Sequence, residues 1–236
     1  MFGSWSLLFS SILPLLLFSC SFSFICTTHR TYKRDNSLFR ASTKPDFAAS
    51  QKIARNIVDE LVVNNIGKEQ ELLISHKIKD LISHNDGARG FFVTYLTQPE
   101  DLLEANVVPS VVSDAVSSVE DPDYVAKLCT MNVIMPTGMI LAHKKNNDEV
   151  NSNNSRTTQK RALSLISSLD KNSRMYMLIE NNIMSTITAI EDTGSGVDKY
   201  DQQGHEVGYW KDFMKKWGYD KEQKMMIRAA LETIII

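Results

Sequence analysis

Apolar side chains recur every three or four positions through most of the chain after residue 50, which is the spacing of one face of an α-helix. The first run begins at Ser50, an expected N-cap, and ends before Gly67. Its apolar members are Ile53, Ile57, Val58, Leu61 and Val62. This pattern predicts a helix whose apolar face is buried against the rest of the fold.

Glycine residues divide the segments that follow. A second helix is predicted from Lys68 to about Asn85, with Gly87 as its left-handed C-terminal residue. The side chains expected on its buried face are Leu73, Ile74, Ile78, Leu81 and Ile82. Residues 90–96 form the one run whose composition suits a strand. Because no second run could pair with it, we expect a buried helical turn or an apolar plug there instead.

Proline marks the start of three further predicted helices. We expect a short helix from Pro99, another from Pro109 and a longer apolar one from Pro122. Pro136 lies inside the last of these, and its missing N–H predicts that the helix kinks or is interrupted there. Residues 146–155 are polar and rich in Asn, which predicts a loop.

Two amphipathic segments, 156–169 and 174–192, complete the predicted bundle before a glycine-rich break at residues 194–196. The whole pattern predicts an all-α fold, an irregular multi-helix bundle of about seven to nine helices over residues 51–192. Residues 197–236 are expected to form a C-terminal helical hairpin packed on that bundle.

The predicted hairpin has the clearest local signals in the sequence. Gly218 is expected to end its first helix, and Asp220 with Gln223 has the spacing of a capping box at the start of the second. Large apolar side chains follow one face of these helices and continue to the end of the chain. We therefore predict a partner surface that consists of Trp210, Phe213, Met214, Trp217, Ile234 and Ile235.

The first 28 residues contain no charged side chain and include the apolar segment 7–18. Its length fits the apolar region of a secretory signal peptide and is short for a membrane-spanning helix. Small residues at Ser21 and Ser23 predict cleavage after residue 23, which leaves no stable membrane span. If residues 5–26 were retained instead, the protein would be a membrane-tethered adaptor.

Residues 24–50 differ in character, because five basic residues stand against two acidic ones with Ser and Thr interspersed. Such a segment is typical of a transit peptide. A signal peptide followed by this kind of segment, with Phe24 directly after the cleavage site, resembles the bipartite presequences of algae with complex plastids. The resemblance implies import into the plastid (chloroplast) interior. The alternatives are the secretory pathway and a membrane anchor.

The composition is that of a globular protein, with 43% apolar residues, 23% charged residues and a net charge of −2. These values exclude wholesale disorder and a disulfide-dense fold. The near-neutral balance gives no indication of nucleic acid as a partner. Cys129 is the one cysteine outside the front end, and its apolar neighbours predict a small buried side chain.

Candidate catalytic and metal-binding residues are few. Helical di-metal sites use Glu-x-x-His pairs, because these place a carboxylate and an imidazole on one helix face, and the sequence has none. We therefore expect no metal site at His76, His84 or His143, and we place His143 in a charged loop. Residues 194–196 lack the spacing of a nucleophile elbow or a phosphate loop. We assign no catalytic residue and no cofactor, and cofactor-binding residues stay unknown.

Basic residues cluster on either side of the predicted Asn-rich loop, where they could form one anion-facing edge on an otherwise acidic domain. The residues of this predicted edge are Lys144, Lys145, Arg156, Lys160 and Arg161. No aromatic side chains interleave them, as they do in nucleic-acid-binding surfaces. Solvated helix faces are therefore the competing interpretation.

Together these observations favour a non-enzymatic helical binding or assembly factor that acts in the plastid through a protein partner. Two alternatives stay open: a small helical enzyme or cofactor-binding protein whose site forms only in space, and the membrane-tethered adaptor. The oligomeric state is not set by the sequence. We further expect Trp217 to stabilise the domain and residues 234–236 to contribute to partner contact rather than to stability.

Overall fold

The computed structural model describes residues 44–62, 67–192 and 206–235, and it contains helices and no strand in those ranges. The prediction of an all-α multi-helix bundle is confirmed. The predicted signal peptide, most of the basic segment after it and the break at residues 194–196 lie outside the described residues. The described helices are α1 (Phe47–Val62), α2 (Lys68–Ile82), α3 (Asn85–Leu96), α4 (Ser110–Ser117), α5 (Pro122–Lys145), α6 (Glu149–Ser167), α7 (Arg174–Glu191), α8 (Val207–Trp217) and α9 (Lys221–Ile235).

Helix α5 is the centre of the bundle, because α6, α7 and α9 all pack against it. Helices α1, α2 and α3 pack on one another, and α4 lies against α2. Smaller contacts of α3 with α6 and of α4 with α7 join the two groups. Among the described helices, α5 alone has the length and hydropathy to cross a membrane. However, 72% of its apolar window is buried inside the protein, as in the core helix of a bundle.

The start of α1 differs from the prediction. Ser50 does not cap this helix, because it is buried one turn inside it. The side chain of Asp46 accepts a hydrogen bond from the Ala49 N–H (2.8 Å) and satisfies one of the free donors of the first turn. The helix therefore begins three residues before the predicted cap, inside the segment that sequence composition assigned to the basic presequence.

The predicted end of α2 is also wrong. The helix stops at Ile82, and Gly87 lies in the first turn of a separate helix, α3. The N-cap of α3 is His84, whose Nδ1 accepts a hydrogen bond from the Gly87 N–H (3.1 Å). The apolar run 90–96 continues α3 and is buried along its whole length. Of the two structures expected for that run, a buried helical turn or an apolar plug, the structure shows the helical one.

Proline begins a helix at two of the three positions where the sequence predicts it. Pro109 and Pro122 stand at the starts of α4 and α5. Pro99 opens no helix, because residues 97–109 form turns and irregular backbone. Pro136 lies inside α5 without interrupting it. Its ring removes one backbone hydrogen bond, and the packing of α5 against three other helices stabilises the rest.

The Asn-rich segment predicted as a loop is mostly helical. Only residues 146–148 separate α5 from α6, which begins at Glu149. The carboxylate of Asp148 caps α6 by accepting a hydrogen bond from the Asn151 N–H (3.1 Å). Helix α6 packs along α5, so tertiary contact stabilises a helical backbone that the polar sequence alone does not favour.

The end of α8 and the start of α9 are as predicted. Gly218 ends α8 in the left-handed conformation (φ 63°), which glycine adopts without steric cost. Asp220 and Gln223 form the reciprocal hydrogen bonds of a capping box at the start of α9. The Gln223 N–H donates to the Asp220 carboxylate (2.8 Å), and the Asp220 N–H donates to the Gln223 side-chain oxygen (3.0 Å).

Helices α8 and α9 each pack on the bundle rather than mainly on one another. Helix α8 lies against α7, and α9 lies against α5 and α7. The start of α9 is fixed at Gly138 of α5, whose carbonyl accepts a hydrogen bond from the Gln223 side chain (2.9 Å). A Cβ at Gly138 would lie 2.4 Å from the Tyr219 ring, so glycine permits this close approach.

Candidate functional site

The aromatic residues of the predicted partner surface do not form one exposed face. Trp210 and Met214 are buried inside the protein, and Phe213 is half-buried. The rings of Trp210 and Phe213 pack edge to face with their centroids 5.6 Å apart. Trp217 is 37% exposed. The prediction is therefore corrected for Trp210 and Met214, which belong to the protein's own core.

The C-terminal isoleucines differ from the prediction as well. Ile234 is buried and Ile235 is half-buried, while Ile236 lies outside the described residues. The main-chain carbonyl of Ile234 accepts a hydrogen bond from the Tyr176 hydroxyl (3.1 Å) in the interior of the protein. This end of α9 is thus tied to α7, and we assign it to stability instead of partner contact.

The predicted anion-facing edge is interrupted by carboxylates. The Lys145 ammonium lies 2.9 Å from Asp220 and 2.9 Å from Glu222, and hydrogen bonds to these two groups raise its pKa. Lys160 lies 3.8 Å from Glu100. The other exposed members of the edge are Lys144 and Arg156. An anion at this edge would compete with acidic side chains that are already in place.

The fifth member of that edge, Arg161, is fully buried between α6 and the irregular segment 97–109. One terminal nitrogen of its guanidinium donates hydrogen bonds to the main-chain carbonyls of Leu96 (2.7 Å) and Gln98 (2.8 Å). The other donates to the carbonyl of Leu103. The prediction that Arg161 faces an anion in solvent is therefore wrong.

Arg161 acts as a cationic anchor for the irregular backbone between α3 and α4. Burial lowers the pKa of its guanidinium, and the nearby Tyr95 and Glu100 oppose that shift. Burial also raises the pKa of Tyr95 to about 12, so its hydroxyl stays neutral beside the cation. Charged donors make stronger hydrogen bonds than neutral ones, which suits a side chain that holds three carbonyls.

The remaining candidate residues, His143 and Cys129, are both buried. Within the described ranges, no three or more His, Cys, Asp and Glu side chains are placed to hold a metal ion. His143 is buried rather than in a charged loop, with Nδ1 3.5 Å from the Asp148 carboxylate. Burial raises the pKa of Cys129 to about 12, so its thiol is not available as a nucleophile.

A surface groove that sequence analysis missed runs along α2. Leu72 and Leu73 are 60% and 49% exposed, although helical spacing assigned Leu73 to the buried face. The residues that line the groove are Gly67, Glu69, Gln70, Leu72, Leu73 and His76. Three consecutive apolar residues, 72–74, span about 200° of a helix and cannot all face one core. That run is the signal from which the exposed leucines could have been found.

Helix α2 holds these leucines in a fixed position. On its opposite face, Ile74 and Ile78 are completely buried. The Lys77 ammonium donates hydrogen bonds to both carboxylate oxygens of Glu60 in α1 (2.7 and 2.9 Å), and the Gln70 side chain donates to the same carboxylate (3.1 Å). The groove is therefore preformed on a helix that is packed on one side and bridged to its neighbour.

Comparison with known proteins places the chain in a family. A family model matches residues 46–234, which include every described helix except the last residue of α9. The protein belongs to this family, whose description is Uncharacterised conserved protein UCP020893. Neither the curated proteins nor the solved structures contain a match to the chain.

Proposed function

We propose that this protein is a non-enzymatic helical binding or assembly factor that acts inside the plastid through protein–protein contacts. The observation that carries the proposal is the pair of leucines exposed side by side on α2, at 60% and 49% of their surface. Adjacent exposed leucines on a rigid helix are the kind of anchor that helical partners bind. The predicted aromatic surface on α8 is replaced in this proposal by the α2 groove.

The energetic scale of this surface suits a reversible contact. The exposed parts of Leu72 and Leu73 together equal about one whole leucine side chain. Burying that much apolar surface stabilises a complex by about 2 kcal/mol. This corresponds to roughly 30-fold in affinity. The leucines would therefore act as a central anchor within a larger interface, and their loss should be measurable.

The chemistry of the groove supports binding rather than catalysis. Its titratable side chains are one carboxylate, Glu69, and one imidazole, His76. Both are exposed at the rim beside the leucines. An acid–base pair in an enzyme is typically placed in a pocket that excludes water. An apolar centre with a polar rim is the usual arrangement of a protein-binding surface.

Action inside the plastid is supported by the front end of the sequence. An uncharged apolar segment is followed by a basic, hydroxyl-rich stretch that begins at Phe24. A fluorescent fusion of residues 1–60 should enter the plastid of an alga with complex plastids. A matched fusion of residues 24–60 should remain in the cytosol. Secretion of the longer fusion, or its retention in the cytosol, would overturn the proposed location.

The binding function is tested by site-specific photocrosslinking of the full chain in its organelle. A photoreactive amino acid at position 76, at the rim of the groove, should yield a covalent adduct with a protein. The adduct should disappear when Leu72→Glu is introduced. The same photoreactive residue at position 225, which is exposed on α9, serves as the matched control and should give no such adduct. If the yield of the adduct at position 76 is the same with and without Leu72→Glu, the proposal is wrong.

A further inference from the structure

We propose that the groove on α2 binds a second copy of this chain, through an antiparallel two-fold contact between the two α2 helices. The inference deepens the proposed binding function and rests on the same leucines. It identifies the partner from the order of residues along one face of the helix.

That face consists of Glu69, Leu72, Leu73 and His76. At 100° per residue these four positions fall within an arc of about 100°, which is the width of one helix face. All four side chains are exposed. The face is acidic at its N-terminal end, apolar in the middle and carries an imidazole at its C-terminal end.

A two-fold axis between positions 72 and 73 makes this face complementary to itself. In an isologous contact, each residue faces the one that lies equally far on the other side of the axis. Leu72 would then pack on Leu73 of the second copy, and Glu69 would lie opposite His76 of the second copy. Because of the symmetry, each pairing occurs twice.

The polar pairs at the two ends favour this orientation. An imidazole N–H can donate a hydrogen bond to a carboxylate, so Glu69 and His76 complement one another. A parallel arrangement would instead place Glu69 against the Glu69 of the second copy, and like charges at close range oppose association. The residue pattern thus selects the antiparallel orientation.

The flanking lysines do not oppose the contact. The same two-fold axis would bring Lys68 near Lys77 of the second copy. The Lys77 ammonium already lies 2.7 Å from the Glu60 carboxylate within its own chain. Lys68 would therefore approach a neutralised pair, and repulsion between the lysines is offset by the carboxylate of Glu60.

Disulfide trapping tests the geometry directly. The full chain is prepared with Cys20→Ser and Cys26→Ser, while Cys129 is kept because it is buried. One preparation carries Glu69→Cys and the other His76→Cys. Oxidation of the mixture should give a 69–76 disulfide dimer, and neither preparation alone should crosslink. Positions 69 and 76 are separated by about 10 Å along the helix, beyond the reach of a disulfide.

Charge exchange tests the complementarity in solution by sedimentation velocity of the full chain. Leu72→Glu and His76→Glu should each weaken the dimer at least about tenfold, since they place a carboxylate against leucine or against Glu69. The double variant Glu69→His with His76→Glu should restore dimerisation to within about threefold. Met225→Glu, an exposed apolar position on α9, should change nothing.

A chain that remains monomeric, or that crosslinks as 69–69, overturns the inference. So does a dimer that survives both Leu72→Glu and His76→Glu. These outcomes are distinguishable from failure of the proposed function. A monomeric chain whose position 76 still forms a Leu72-dependent adduct with a different protein would keep the binding function and exclude self-association.

Discussion

The guanidinium of Arg161 donates a 2.7 Å hydrogen bond to the main-chain carbonyl of Leu96, a residue 65 positions earlier in the chain. The same side chain holds the carbonyls of Gln98 and Leu103. It therefore fixes the irregular segment that leaves α3. A buried arginine is tolerated here because backbone carbonyls supply acceptors in place of water.

Replacing Arg161 by methionine should lower the free energy of unfolding by about 3–5 kcal/mol, because two buried carbonyls and one part-buried carbonyl lose their donor. Urea-induced unfolding followed by circular dichroism measures this change. Lys160→Met, at the neighbouring exposed position, is the matched control and should change stability by less than about 0.5 kcal/mol. Equal effects of the two substitutions would show that Arg161 does not anchor this segment.

Trp210 rather than Trp217 should be the stabilising tryptophan of α8. Trp210 is fully buried, and its removal from the core should cost about 3–5 kcal/mol. Trp217 is 37% exposed, so Trp217→Ala should cost about 1 kcal/mol or less. Thermal unfolding of the two alanine variants checks the order. A larger loss at Trp217 would support the original expectation from sequence.

Deletion of residues 234–236 should destabilise the protein instead of leaving it unchanged. The deletion removes the buried side chain of Ile234 and the carbonyl that accepts a hydrogen bond from Tyr176. We expect a loss of about 2–4 kcal/mol. Tyr176→Phe removes only the hydrogen bond and should cost about 1 kcal/mol. Unchanged stability after the deletion would instead support the expectation from sequence that these residues contact a partner.

Stability should fall as the solution is acidified below about pH 6.5. Burial lowers the pKa of His84 below 6.5, with Lys44 adding to the shift and Asp86 opposing it. A lowered folded-state pKa means that the unfolded chain binds the proton more readily. The stability that neutral His84 contributes is therefore present above the pKa that His84 has in the unfolded chain. It is lost as the pH falls toward the lower pKa that His84 has in the folded protein.

The hydrogen bond that His84 accepts also predicts a loss of stability at low pH. Protonation of Nδ1 would remove the acceptor that His84 offers to the Gly87 N–H at the start of α3. His84→Asn keeps a capping oxygen and does not titrate. Its urea midpoint should therefore decrease less than that of the unmodified protein between about pH 7.5 and 5.5. Parallel pH profiles for the two proteins would exclude this role for His84.

Cys129 should be unreactive in the folded protein. Its thiol is buried and its pKa is raised to about 12, so almost no thiolate is present at neutral pH. A thiol reagent such as dithiobis(nitrobenzoate) should label Cys129 only after denaturant is added. The Cys20→Ser and Cys26→Ser chain makes the measurement specific to this residue. Rapid labelling without denaturant would contradict the described burial.

Where the predictions failed, the cause was packing between distant parts of the chain. The Asn-rich start of α6 has little helical preference, but contact with α5 makes it helical. Of the two outcomes predicted at Pro136, a kink or an interruption, the interruption does not occur, because that helix is packed on several sides. Periodicity placed Leu73 on the buried face of α2, although the direction of that face depends on how α1, α3 and α4 pack.

The sequence by itself determined the helical class and the helix ends that are set by local bonds. These signals act within three or four residues, so their effects can be predicted without the fold. They are Gly218, the Asp220–Gln223 capping box and the prolines at the starts of α4 and α5. Only the tertiary structure decided that Arg161 is buried, that Ile234 is tied to Tyr176, and that Leu72 and Leu73 face solvent. Burial is a property of contacts between residues far apart in sequence, and periodicity along a single helix does not encode which neighbours cover its faces.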